Sequence, residues 1–172
     1  MSGQSDQAPC PMAEEPRPEH HWLGQLVGTW AIEGQAMMTP GEEPAVFQGT
    51  ETVRSLDGLW VIGEGHCTNP DGDEPMTSIL TLGYDPRAER YAGTFVASMM
   101  SHLWLYRGLL DPDGKTLTLD TEGPDVSTGG QSSARFQDII EIEDADHRTL
   151  TSRMRGEDGQ WRPVMAARYR RT

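Results

Sequence analysis

The stretch Leu26-Val27-Gly28-Thr29-Trp30-Ala31-Ile32-Glu33-Gly34-Gln35-Ala36-Met37-Met38 decides the fold. A short apolar turn leads into Gly-x-Trp. From there Trp30, Ile32, Gly34, Ala36 and Met38 share one face, while Glu33 and Gln35 share the other. Such strict alternation marks a strand with one buried side. The tryptophan is large enough to plug one end of a small antiparallel barrel, and the glycine lets the chain turn tightly beneath it. Trp30 is therefore expected to be the barrel plug, with Met38 a lumen residue farther along the same strand.

Working outward toward the N-terminus, Pro18 to Val27 reads as a short helix. Trp22 and Leu26 lie one turn apart, as do Leu23 and Val27, and Pro18 suits the first helical position. Such a helix would lie across one barrel mouth and cover apolar side chains there, leaving His20 and His21 in solvent. Residues 1–18 carry Ser, Gln, Pro and acidic residues without an apolar core, which is the composition of a disordered tail rather than a secretory signal. The expected division is a tail over 1–18 and one domain over 19–172.

Toward the C-terminus the chain alternates strand and turn. Val46 to Leu56 ends at Asp57-Gly58, a two-residue hairpin signal. Leu59 to Cys67, Met76 to Tyr84, Arg90 to Met100, His102 to Leu110, Lys115 to Thr121, Ser133 to Glu143, His147 to Arg155 and Trp161 to Arg170 follow. With the first strand this makes about ten, at the spacing of an all-β protein. Every connection is of hairpin length and no crossover helix is available, so a parallel sheet is excluded. A meander that closes on itself leaves no free edge. The expected fold is all-β: a single antiparallel up-and-down β-barrel of about ten strands with a short N-terminal capping helix.

Composition narrows the function. The 172-residue chain carries a formal net charge of −13, which repels phosphate backbones and anionic lipid, so nucleic-acid and membrane-surface partners are disfavoured. No apolar run approaches the roughly 20 residues that span a bilayer. The two cysteines, Cys10 and Cys67, make neither a disulfide framework nor a spaced metal site. The expectation is a cytoplasmic protein with no metal and no cofactor, possible as a homo-oligomer.

Five stretches carry a family resemblance: "GTETVRSLDGLWV", "LTLGYDPRAERYAGTFVASMMSHLWLYRG", "LTLDTEGP", "DHRTLTSRM" and the closing "ARYRR". From His21 to the C-terminus the chain resembles a bacterial domain family catalogued only as a domain of unknown function. That resemblance implies a lipocalin-like, calycin-type barrel and no established activity. More distantly, Gly28-x-Trp30 is similar to the opening of lipocalins, fatty-acid-binding proteins and haem-binding nitrobindin-type barrels.

Strand parity then selects side chains for the lumen, because a one-residue step exchanges lumen for solvent. In Leu59 to Cys67 either Trp60, Ile62, Glu64 and His66 or Leu59, Val61, Gly63, Gly65 and Cys67 face inward; the first set is preferred. In His102 to Leu110, His102, Trp104 and Tyr106 share one face. Arg107 on the other argues that the aromatic set points in, although Leu103, Leu105 and Leu109 beside it leave the reverse open. Inward aromatic groups with polar handles are a usual way to orient an amphipathic ligand. Asp138 falls with Phe136, Ile140 and Ile142 on a face that looks inward, where a carboxylate needs a partner; Arg153, Arg168 or Arg170 could supply one. Glu51 and Glu64 are further acids without catalytic spacing. The lumen candidates are thus His102, Trp104, Tyr106, Trp60, His66, Asp138 and Met38.

No nucleophile motif, phosphate-cradling loop or dinucleotide fingerprint occurs. The leading expectation is a barrel that holds a small hydrophobic or amphipathic molecule. An isomerase, hydratase or cyclase using an inward acid with His, such as Asp138 with His102, is the alternative from the enzyme class. Haem binding through His102 or His66, and a packed structural or oligomerising module, complete the set. As the blander reading of the same residues, Trp104 and Tyr106 fill the core and Met99 and Met100 pack against it.

Overall fold

Alternation over so many short segments can bury its apolar side between two stacked sheets or inside one sheet that closes on itself. The computed structural model describes residues 10, 12–37, 41–68 and 75–172. Helix α1 (Pro18–Leu23) and a 3₁₀ turn (Gly24–Leu26) precede β1 (Gly28–Ala36), β2 (Ala45–Leu56), β3 (Trp60–Thr68), β4 (Pro75–Asp85) and β5 (Arg90–Ala97). After them come β6 (Trp104–Leu110), β7 (Thr116–Pro124), β8 (Ser133–Ile142), β9 (His147–Arg155) and β10 (Trp161–Arg171). Each strand pairs antiparallel with its neighbour in sequence, and β10 returns to β1, so ten strands form a closed barrel. The expected all-β barrel with its N-terminal helix is the fold. Met38 and the turn over 69–74 lie outside the described residues, as do residues 1–9 of the expected tail.

One end of the barrel is sealed. Trp30 is 1% exposed, as a plug requires, and its Nε1 donates to the Leu26 carbonyl at 2.8 Å. The Arg171 guanidinium lies 4.2 Å from the centre of that ring and donates to the carbonyls of Val27 (2.6 Å) and Gln25 (3.1 Å). Gly28 makes room for this arrangement. Its φ is +135°, and a Cβ there would stand 2.3 Å from Arg171 Nη1.

Helix α1 covers the same end and is tied down by side chains. Trp22 Nε1 donates to the Gly114 carbonyl at 2.8 Å, and the Tyr91 hydroxyl donates to the Glu19 carbonyl at 3.0 Å. His20 is buried rather than solvated. Its Nδ1 accepts from the Arg17 N–H at 3.0 Å, which leaves the ring proton on Nε2 to reach the Tyr84 carbonyl at 3.2 Å. His21 is exposed.

Candidate functional site

The lumen has two unlike halves. Toward the sealed end the inward residues Leu82, Tyr91, Leu117, Leu119 and Ile140 are at most 2% exposed. Toward the opposite end exposure is mixed: Phe47, Leu80, Phe95, Trp104 and Met165 are half-buried, while Cys67, Ala97, Phe136 and Met154 are buried. Phe47, Leu80, Phe95, Trp104 and Met165 thereby keep part of their apolar surface open to solvent at this end.

On β6, Trp104 and Tyr106 face the lumen, whereas Leu105, Arg107 and Leu109 face solvent. Arg107 decides this parity, since an unpaired guanidinium inside the barrel would cost far more than three exposed leucines. Leu105 and Leu109, each 62% exposed, belong with Val96 and Ile79 to an apolar stripe on the outside of β4 to β6. At the rim, His102 meets Trp104 edge-on at 4.8 Å, and its Nε2 lies 3.1 Å from the Glu122 carbonyl. Trp104 in turn meets Phe136 edge-on at 5.1 Å and donates its indole N–H to Met100 Sδ at 3.1 Å. The indole sits over Gly123, where a Cβ would come within 2.3 Å of it. Met100 thus packs on this aromatic layer.

Two residues deeper along the same strands, about 6.6 Å by strand geometry, lies a polar layer. Tyr106 Oη donates to one Asp138 oxygen, and Ser152 Oγ donates to the other. Ser152 stands directly opposite Asp138 in the β8–β9 register. Burial pushes the Asp138 carboxyl up from its ordinary value, opposed by the hydrogen bonds from Ser152 and Tyr106. Tyr106 is held well above the ordinary tyrosine value, first by burial and then by the neighbouring Asp138 charge. Thr121, inward on β7 and opposite Phe136, is 7% exposed, and its Oγ1 has no hydrogen-bond partner among the described residues.

Deeper still, Glu51 on β2 and Arg148 on β9 form an ion pair. Arg148 lies 3.9 Å from the centre of the Tyr169 ring and 4.8 Å from that of Trp30. Gly63 on β3 faces this pair, and a Cβ there would approach Glu51 Oε1 to 3.1 Å.

These positions correct several expectations. On β3 the inward set is Val61, Gly63, Gly65 and Cys67, so Trp60 and His66 are not lumen residues. Gly63 leaves the space that the Glu51 carboxyl occupies, and a Cβ at Gly65 would come within 2.7 Å of Ser78 Oγ. Outside, His66 Nε2 pairs with Glu64 at 3.1 Å, and Trp60 packs over Gly83 of β4. Asp138 takes no arginine: Arg153 bonds Gln137 at 2.6 Å on the outer face, and Arg168 and Arg170 are exposed. The Asp138–His102 pair does not form either, because each is bonded to other partners. His66 faces solvent, which removes it as an axial ligand for the haem alternative, and His102 has its Nε2 against the Glu122 carbonyl. Arg148, Ser152 and Thr121 were missed, although parity with Met154 and Leu119 would have found them.

Compared with known proteins, the chain matches the family described as "Protein of unknown function (DUF1579)" over residues 15–171. No curated protein matches it. Among solved structures it is similar to Rv2717c from M. tuberculosis at 15% identity and a TM-score of 0.66, with 92% of this chain and 99% of that one covered. It is also similar to the S-type phycobiliprotein lyase CPES from Guillardia theta at 14% identity and a TM-score of 0.59, covering 90% and 92%. At such identities the likeness is one of fold.

Proposed function

The chain belongs to the DUF1579 family of proteins of unknown function, and we propose that it is a binding protein which holds a small hydrophobic or amphipathic molecule in the mouth of its barrel. One observation carries this reading: the inward face is sealed at the Trp30 end, yet the apolar side chains of Trp104, Phe95, Leu80 and Phe47 stay half-buried at the other. A concave apolar site with a few convergent polar groups is what a small-molecule pocket requires. The aromatic layer of Trp104 and Phe136 would take the apolar body. Tyr106, Asp138, Ser152 and Thr121 beneath it would receive the polar end.

The neutral, polarity-sensitive dye Nile red tests this. Its emission should rise and shift to the blue on mixing with the protein. Trp104→Ala should weaken its binding by about tenfold, the effect of removing a central aromatic contact. Arg107→Ala and Leu105→Gln, on the outer face of the same strand, should leave it nearly unchanged. A loss confined to Leu105→Gln would put the dye on the outer apolar stripe, and the reading would fail.

A further inference from the structure

Resting on that reading, we infer that the preferred occupant is a protonated amine carried on an apolar body, its nitrogen set against the Asp138 carboxyl beneath the Trp104–Phe136 layer. The charges facing the lumen carry this. Arg148 is engaged by Glu51 and enclosed by Tyr169 and Trp30, and Arg171 is engaged by backbone carbonyls at the sealed end. Arg148 Nε has no hydrogen-bond partner among the described residues, yet the charge of that guanidinium is already matched by Glu51, so an anionic head group would meet a neutral pair and not a free cation. Asp138 is the opposite case. Its described partners are the hydroxyls of Tyr106 and Ser152, neither of which carries a compensating positive charge.

A carboxylate offers about four acceptor sites, so those two donors leave acceptor capacity for an N–H of the occupant. An ammonium brings three donors, and the buried Thr121 hydroxyl, without a partner among the described residues, supplies a further acceptor in the same region. The net charge of −13 draws cations toward the protein and repels carboxylates.

The test is displacement of bound Nile red from the full chain by octylamine, octanol and octanoate, which share one tail and differ in head group. Octylamine should displace the dye at a concentration about tenfold below octanol, as a charge-assisted hydrogen bond implies, and octanoate should be weakest. In Asp138→Asn the amine and the alcohol should converge. If octylamine is no better than octanol on the native chain, or if Asp138→Asn keeps the full preference, the inference is overturned while dye binding leaves the binding reading standing. Failure of Nile red to bind at all would overturn both.

Discussion

Glu51 and Arg148 lie 97 positions apart in sequence and meet inside the barrel, with side chains 10% and 2% exposed. Removing one partner of such a pair strands the other charge in a medium that cannot solvate it. Arg148→Met, which keeps most of the packing volume against Trp30 and Tyr169, should cost about 3–5 kcal/mol in urea unfolding. Adding Glu51→Gln should recover most of the loss, and a single-variant change within about 0.5 kcal/mol would show that the pair does not hold this end together. Asp138 makes the opposite demand on stability. Its carboxyl is raised from the ordinary value of 3.8 by burial, so the folded chain holds this proton more tightly than the unfolded chain does. Stability contributed by Asp138 is therefore present at low pH and lost as pH rises from about 3.8 through the folded value. Asp138→Asn should flatten that part of the profile and be relatively more stable above it than below. A melting-temperature series against pH that is superimposable for the two proteins would contradict this. Parity could place Asp138 inward from sequence, but not name its partners. The arginines weighed for it sit on outward positions, and hydroxyls leave no pattern that a linear reading detects.

At the scale of single elements, legibility depended on whether a strand carries a residue that cannot be buried. β6 carries Arg107, an exposed residue, and Trp104 and Tyr106 lie on the opposite face of the strand. β3 offers Glu64 and His66 against Gly63, Gly65 and Cys67, so neither face is excluded by charge alone. The structure resolves it through space: the inward Gly63 admits the Glu51 side chain, and Trp60 finds an outer seat on Gly83. Two inward positions without side chains beside an acid of the neighbouring strand were the signal available. Helix α1 was visible in its spacing of Trp22 and Leu26, yet His20 turned out to be buried. Its role depends on a carbonyl of β4, Tyr84, that lies 64 residues away.

For the whole molecule, strand number and antiparallel closure were legible because turn chemistry marks nearly every hairpin and no segment could serve as a crossover. The split into a sealed half and an open half was not. It depends on how far each strand extends toward the mouth and on which side chains the closed ring sets opposite one another. That split is the central claim, and the five tryptophans report on it from different places. Trp22 and Trp30 lie at the sealed end, Trp60 on Gly83 outside, and Trp161 beneath the outer Arg153 at 5.0 Å. Trp104 lines the mouth. Titrating octylamine into nitrogen-15-labelled protein and following the five indole N–H signals tests the claim directly. The account predicts that the Trp104 signal shifts and saturates while the other four stay in place. Movement of Trp60 or Trp161 with Trp104 still would contradict it.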